Sequence, residues 1–230
     1  MDDSGPERRG RVHDAEGARR AILNAAEEVF AQHGFDGARI DAIAAAAGYN
    51  KSLIFQYFGD KLNLYAEVIK RLDRQGSEMQ ARVFALLLED ETFATDARKF
   101  RTLLETAMRM LFDFLAEHPR IVRILAWEQA EGWQTYAKFL SQSDTEDVEQ
   151  FRILLHKARR AGLLRSDVDP LIQLTIAEQM CWAYLTSIPL YQMLLTGEDL
   201  SSAEALVRAR EYIVDFVVHG MMVDPKGTQV

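Results

Sequence analysis

The stretch from Ile40 to Lys61 reads IDAIAAAAGYNKSLIFQYFGDK and contains the signals that decide the fold. It begins with an alanine-rich run, which favours a helix and lets a neighbouring helix approach closely. Gly48 ends this run, since glycine readily takes the positive φ that terminates a helix and turns the chain. Asn50 can then cap the free backbone N–H groups of a second helix. The pattern predicts two short helices joined by a glycine turn, which is a helix-turn-helix.

The second of these helices is predicted to have one apolar and one polar face. Ile54 and Phe58 are four residues apart and therefore lie on the same face, where they can pack against a core. Lys51, Ser52 and Gln56 lie on the opposite face. A short helix with a polar outer face is available to contact a partner.

The rest of the chain also carries helical periodicity, with no β-strand alternation, so the sequence predicts an all-α fold of about nine helices. An N-terminal helix-turn-helix domain would be followed by a larger helical domain. Before and after the helix-turn-helix, the sequence predicts helices over Ala18–His33, from Lys61 (capped by Asp60) to about Leu88, and over Ala97–Glu117. Pro119 opens the next helix, and a further helical piece is predicted over Trp133–Leu140. The last three predicted helices are Glu146–Arg160 after the polar loop SQSDTED, one from Pro170 to about Leu195 with a kink at Pro189, and one from a Ser201 cap to about His219.

Composition excludes several classes of protein. The chain of 230 residues has 48% hydrophobic and 27% charged residues, which is typical of a globular protein. No apolar run reaches the roughly 18 residues of a transmembrane helix, and the N-terminus is polar, so we expect no membrane association and a cytoplasmic location. The single cysteine, Cys181, is expected to be a packed apolar side chain.

The charge distribution restricts how this chain could bind nucleic acid. The formal net charge is −8, and residues 1–73 alone contain 10 Lys or Arg against 12 Asp or Glu, a balance of −2. Any DNA contact must therefore depend on locally placed cations and not on bulk charge. The first cluster, Arg8, Arg9 and Arg11 with Arg19 and Arg20, lies in or beside residues 1–17, which we interpret as a flexible basic arm. Whether that arm contacts DNA stays open.

The last two predicted helices carry apolar residues on more than one face. Among these residues are Ile172, Ile176, Met180, Tyr212 and Phe216. A helix that is apolar on several faces must be buried on several faces. These helices are therefore either the central core of the second domain or the interface of a homodimer, in which each subunit supplies two helices to a four-helix bundle.

The segment from Ala18 to Leu72 resembles the DNA-binding domain of the tetracycline-repressor (TetR) family of bacterial transcription regulators. The residues that carry the resemblance are Ile22, Ala25, Phe30, Gly34, Phe35, Ile43, Ala44, Ala47, Gly48, Ile54, Phe55, Tyr57, Phe58, Lys61 and Leu64. The resemblance implies a helix-turn-helix domain at 18–72 and an effector-binding and dimerisation domain at 73–230. It also implies a dimer, joined through the last two helices, that binds a near-palindromic double-stranded operator, most often as a repressor released by a small-molecule effector.

The resemblance further implies which side chains meet DNA. Lys51, Ser52 and Gln56 occupy positions that read base edges, whereas Tyr57 and Lys61 occupy phosphate-contact positions. Backbone N–H groups near Asn50 can contact phosphate as well. The family's usual threonine before its second helix is replaced by Ala38, Arg39 and Ile40, which removes a capping hydroxyl. Arg39 could in exchange reach a phosphate or a base.

The family's C-terminal domain commonly holds a ligand cavity, and aromatic and methionine side chains are the candidates to line it here. Together they would favour a bulky lipophilic or aromatic effector, although such residues also build ordinary cores. Glu128 and Glu131 flank two of the tryptophans and would suit a cationic ligand. The candidate lining residues are Met108, Phe112, Trp127, Trp133, Tyr136, Phe139, Met180, Trp182 and Tyr184.

The sequence offers no enzyme motif, metal motif or cofactor motif. The five histidines have no pair at the spacing of a zinc helix, and there is no phosphate-binding Gly-rich loop and no G-x-S-x-G element. We therefore expect a non-enzymatic regulator without metal or cofactor. The alternative is a helical small-molecule-binding protein or enzyme with a vestigial DNA-binding domain. No motif encodes the effector, the operator sequence, the target genes or the choice between repression and activation.

Overall fold

A computed structural model describes residues 6–89, 91–139, 142–195 and 197–223. This part of the chain forms nine α-helices and two short 3-10 helices, at Glu91–Ala94 and Tyr136–Lys138, and none of its helices is long and apolar enough to cross a bilayer. The α-helices are α1 (Pro6–Gly37), α2 (Ile40–Ala47), α3 (Lys51–Phe58), α4 (Lys61–Glu89), α5 (Ala97–Glu117), α6 (Pro119–Ala130), α7 (Gln142–Arg160), α8 (Pro170–Leu194) and α9 (Ala203–Met221).

The predicted all-α class is confirmed, and most predicted boundaries agree with the structure. Three differ. Helix α1 begins earlier than Ala18, and α7 begins within the stretch predicted as a polar loop, where acidic residues suit a helix N-terminus. The predicted helical piece over Trp133–Leu140 is, as far as Phe139, a turn and the second 3-10 helix, and Leu140 lies outside the described residues. The last helix is capped by Ser202 and not by Ser201, whose hydroxyl bonds Asp199 instead.

The predicted basic arm falls largely outside what the structure describes. Residues 1–5 are not described, and neither are the side chains of residues 6–14, so the positions of Arg8, Arg9 and Arg11 remain predictions. Arg19 forms an ion pair with Glu67, and its guanidinium lies 5.3 Å from the centre of the Phe58 ring. This cation therefore belongs to the packing of the helical domain.

The chain forms two compact units. The N-terminal unit comprises Met1–Arg74 and Arg123–Phe139, and the second unit comprises Gln75–Val122 and Leu140–Val230. The N-terminal unit has its own aromatic core, in which the Tyr65 ring lies 4.7 Å from Phe30 and 5.1 Å from Phe35. Ile22, Ile43 and Ile54 are fully buried in the same unit. The apolar face predicted for α3 is thus fixed to this core.

A buried carboxylate joins α6 to α4 within the N-terminal unit. Glu128 is only 1% exposed, and its Oε1 atom accepts a hydrogen bond of 2.6 Å from the Tyr65 hydroxyl. Its Oε2 atom accepts the backbone N–H of Tyr136 at 2.9 Å. Burial, together with this carboxylate, raises the pKa of Tyr65, so its hydroxyl stays protonated and donates. The Tyr136 hydroxyl in turn donates to Asp73 at 2.6 Å.

Gly34 creates a close packing contact in the same unit. It interrupts α1 with a φ of 67°, as its predicted role as a helix end requires. A Cβ atom at this position would lie 3.0 Å from the Trp127 ring, and the indole N–H of Trp127 donates to the carbonyl of Ala31 at 3.3 Å. The tryptophan therefore packs where only glycine leaves room.

The second unit is built around α5. One face of this helix supplies Phe100, Leu104, Met108 and Phe112 to a core that also includes residues of α7, α8 and α9. On its other side, α5 is joined to α9 by two ion pairs, Arg109 to Glu211 at 2.9 Å and Asp113 to Arg210 at 2.7 Å. Cys181 is fully buried, as predicted, and burial raises its pKa to about 12.

Candidate functional site

The helix-turn-helix forms as the sequence predicts. Gly48 takes the left-handed conformation, with a φ of 74°, and its N–H closes the end of α2. The Oδ1 atom of Asn50 accepts the backbone N–H of Leu53 at 2.8 Å, which caps α3. Asp60 caps α4 in the same way, through the N–H of Asn63 at 2.7 Å. These three short-range signals set the position of α3 between its neighbours.

The outer face of α3 carries the predicted base-reading side chains. Lys51, Ser52 and Gln56 are exposed on this face, while Ile54 is buried beneath it. Lys51 forms an ion pair with Asp41 in the first turn of α2. Tyr57 is half-buried, with its ring 6.3 Å from that of Phe58. The structure therefore places these four predicted side chains together on one helix.

Lys61 has a structural role as well as its predicted contact with phosphate. Its ammonium group donates to the carbonyl of Asp36 at 3.3 Å and lies 4.7 Å from the centre of the Phe35 ring. The structure thus gives a reason for a cation at the first position of α4, where the helix dipole disfavours positive charge. The sequence pattern gave no sign of this second role.

Arg39 stands at the N-terminus of α2. It is the N-cap residue, it is exposed, and its side chain makes no capping hydrogen bond. As the sequence predicted, no side-chain hydroxyl caps the N-terminus of α2. The guanidinium is placed at the edge of the helix-turn-helix, where it is available to a partner.

Phe55 is an exposed residue of α3 that is not among the predicted DNA-contacting side chains. Its side chain is 46% exposed and lies on the outer side of α3, next to Gln56. A large apolar group on a helix face that is otherwise polar can contact the methyl group of thymine. Helical spacing places Phe55 about 100° from Ile54 but only about 60° from Phe58, so the sequence alone did not show that Phe55 is exposed.

The second unit contains a cavity of about 110 Å³ between α4, α5, α7 and α8. Twelve of its lining residues are apolar and one is a glutamate. The lining consists of Met79, Val83, Phe100, Leu103, Leu104, Ala107, Met108, Leu111, Phe151, Leu154, Leu155, Leu174 and Glu178.

Of the nine aromatic and methionine residues predicted to bind a ligand, only Met108 lines this cavity. Phe112, Met180, Trp182 and Tyr184 belong to the core of the second unit or pack against it, and the rings of Phe112 and Tyr184 lie 6.1 Å apart. The structure does not bring the other four to the cavity, because they belong to the N-terminal unit. These four are Trp127, Trp133, Tyr136 and Phe139.

The cavity lining was missed because it is mostly aliphatic and resembles an ordinary core in sequence. Glu178 was the available signal, since it is the only charged residue in the 25 residues of α8. Glu128 and Glu131, which the sequence suggested for a cationic ligand, belong to the N-terminal unit and not to the cavity. Glu128 is buried and accepts the hydrogen bonds described above, and burial next to Asp36 and Glu128 raises the pKa of Glu131.

Across the described residues, no three His, Cys, Asp or Glu side chains are grouped to hold a metal ion.

Two models of known protein families match this chain, one near its N-terminus and one over its C-terminal half. Residues 22–68 match the model of bacterial regulatory proteins of the tetR family. Residues 101–217 match the model of the tetracyclin repressor-like C-terminal domain, and this second match alone covers more than half of the chain. The chain belongs to the TetR family. It is a DNA-binding transcriptional regulator, and both α2 and α3 lie within the residues that match the first model.

Individual TetR-family proteins are similar over most of the chain. The transcriptional repressor NicS of Pseudomonas putida is 25% identical over 213 residues, which cover 92% of this chain and 95% of NicS. The repressor SCO4008 of Streptomyces coelicolor is 35% identical over 120 residues, or 52% of this chain and 54% of that protein. A solved TetR-like regulator from Rhodococcus sp. RHA1 shares the fold, with a TM-score of 0.60 at 20% identity, covering 88% and 94% of the two chains.

Proposed function

We propose that this TetR-family protein is a repressor that binds a near-palindromic operator as a homodimer and leaves it when a small apolar ligand enters the cavity. The observation that carries the proposal is the exposed face of α3, where Lys51, Ser52 and Gln56 stand together on a helix fixed by Asn50 and Gly48. In this arrangement α3 enters the major groove, and the protein acts in the cytoplasm, where the chromosome is.

The DNA contacts follow from the chemistry of these side chains. Lys51 can donate to guanine O6 and N7, and Gln56 can pair with adenine N6 and N7. Tyr57, Lys61 and Arg39 contact phosphates, which fixes the register of the protein on the duplex.

Dimerisation is supported by apolar side chains that α8 and α9 leave exposed. Tyr212 is 72% exposed and Phe216 is 55% exposed on α9, and α8 leaves Ile172 and Ile176 more than half exposed. A second copy of the chain covers these side chains in a four-helix bundle, and two reading helices about 34 Å apart then match one turn of DNA. Wild type that sediments as a monomer at micromolar concentration would contradict this part of the proposal.

Repression is favoured by the printed names of NicS and SCO4008, both transcriptional repressors. A third relative, FasR of Mycolicibacterium smegmatis, is an activator and is 40% identical over 68 residues. A reporter gene behind the selected operator separates the two modes. Expression should fall when the regulator is present and rise when the cavity is occupied.

Selection of binding sites from randomised duplexes tests the DNA-reading face. Wild type should enrich a near-palindromic sequence, and Gln56→Ala should relax the preference at one base pair of each half-site. Gln32→Ala, which changes an exposed glutamine of α1, is the matched control and should select the wild-type sequence. No enriched sequence with wild type, or identical selection by Gln56→Ala, would show that α3 does not read the operator.

A further inference from the structure

The cavity of the second unit has one polar feature. Its wall is formed by methionine, valine, alanine, leucine and phenylalanine side chains from four helices, and Glu178 is the only charged residue among the thirteen that line it. Leu174, one turn earlier on α8, lies beside Glu178 in the lining. A ligand in this cavity would therefore meet apolar groups on most of its surface and a carboxylate at one place.

Glu178 has no partner among the described residues. Its carboxylate forms no ion pair or hydrogen bond there, and α8 carries no other charge. The side chain of Glu178 is exposed to water along one side, and the apolar residues of the cavity on its other side raise its pKa through desolvation. A carboxylate in such surroundings without a cation costs folding free energy, so a ligand that supplies the cation would gain affinity from pairing with it.

We propose that the cavity binds a small apolar amine, whose ammonium group pairs with the carboxylate of Glu178. This inference rests on the proposed function and specifies the chemical class of the effector. The volume of about 110 Å³ restricts the buried part of the ligand to a small apolar group, because an apolar cavity of about 150 Å³ holds no more than one benzene molecule. An anionic ligand of the same size would be repelled by Glu178, and a neutral ligand would leave the carboxylate unpaired.

Three probes of matched shape test the charge preference. Benzylamine is a cation at pH 7.5, benzyl alcohol is neutral and benzoate is an anion. Their binding to the full-length wild-type protein is measured by calorimetry and by ligand-observed NMR. We expect benzylamine to bind at least about tenfold more tightly than benzyl alcohol, which is the usual size of a charge-assisted hydrogen bond, and benzoate to bind most weakly.

The variant Glu178→Gln keeps the size of the side chain and removes its charge. We expect it to lose the preference for benzylamine and to bind benzyl alcohol at least as well as wild type. Glu149→Gln is the matched control, because Glu149 is exposed on α7 and pairs with Arg152 outside the lining. This control should keep the wild-type preference. Thermal unfolding of each variant checks that it is folded.

The operator affinity of each protein, measured by fluorescence anisotropy with and without probe, separates the two proposals. If benzyl alcohol binds as tightly as benzylamine and releases DNA equally well, the amine assignment is overturned while the ligand-released regulator stands. If Glu178→Gln keeps the preference for benzylamine, the assignment is overturned as well. If none of the probes binds, the amine assignment is overturned, while operator binding by the probe-free protein still supports the regulator. If wild type without any probe binds no operator, the proposed repressor is contradicted instead.

Discussion

A glutamate beside apolar side chains is found in each unit, buried at Glu128 and exposed to water at Glu178, and the two have different hydrogen-bonding partners. Glu128 in the N-terminal unit is almost fully buried, and both of its oxygens accept hydrogen bonds, from the Tyr65 hydroxyl and the Tyr136 N–H. Glu178 in the second unit lines a cavity and has no hydrogen bond or ion pair among the described residues. The carboxylate of Glu128 thus holds neighbouring elements together, while that of Glu178 has no protein partner among the described residues.

This difference separates a structural acid from a binding acid. A buried polar group that is fully hydrogen-bonded holds the elements that donate to it, here α4 and the turn after α6. A polar group left unpaired beside a cavity weakens the free protein and favours any complex that supplies the missing partner. Removing the two carboxylates should therefore change stability in opposite directions.

The largest expected effect is that of Glu128→Ala. The change leaves the Tyr65 hydroxyl and the Tyr136 N–H without an acceptor in a buried site and opens a cavity, so the free energy of unfolding should fall by about 3 kcal/mol. Chemical denaturation followed by circular dichroism measures it. In Tyr65→Phe the loss should be smaller, and the double variant should lose less than the sum of the two. Additive losses would mean that the two side chains are not coupled.

A smaller loss is expected for Gly34→Ala, which tests how closely the N-terminal unit is packed around Glu128. Alanine must take a positive φ and bring its Cβ against the Trp127 ring, so we expect a loss of about 1–3 kcal/mol. Gly37→Ala is the control, because its Cβ would make only an ordinary contact of 3.5 Å with His33. Equal thermal stability of the two variants would show that Trp127 adapts easily to the added methyl group.

The smallest effect, and of opposite sign, is expected for Glu178→Gln. Because the folded pKa of Glu178 is raised, the folded state binds this proton more tightly than the unfolded state, and stability should fall as the pH rises from about 4.5 through the folded pKa. The α4, α5 and α7 side chains that line the cavity with it are apolar, and Cys181 titrates far higher. The variant should lose this slope and be slightly more stable at pH 7. A variant less stable than wild type at pH 7 would mean that Glu178 has a favourable partner.

The helix-turn-helix could be predicted from the sequence because short-range signals determine it. Gly48 needs a positive φ, Asn50 caps the next helix, and Ile54 with Phe58 defines the buried face, and all of these act within a few residues. The second role of Lys61 could not be predicted in this way. It depends on the carbonyl of Asp36, which lies 25 residues earlier in the chain and approaches only when the unit is folded.

The cavity could not be located from the sequence, because periodicity shows which face of a helix is apolar and not whether the faces fill the space between them. Leu104 and Leu155 read as core residues whether or not a void lies between their helices. The preference for aromatic residues selected Trp127, which in fact packs against Gly34 in the other unit. A lone charge in an otherwise uncharged helix, as at Glu178, was a better guide than aromatic content.

The ion pair between Lys51 and Asp41 has a consequence for how tightly the protein can hold DNA in salt. In the free protein the ammonium group of Lys51 already faces the carboxylate of Asp41 in an exposed ion pair, so binding DNA exchanges this partner for one on the duplex. A lysine that arrives with its own counter-anion displaces fewer ions from the DNA than a bare lysine does. Counting Lys51, the one cation on α3, as a free charge would thus overestimate how steeply operator affinity declines with ionic strength. The carboxylate of Asp41, released at each half-site, would then face the duplex, and contacts with the correct bases are needed to offset its repulsion.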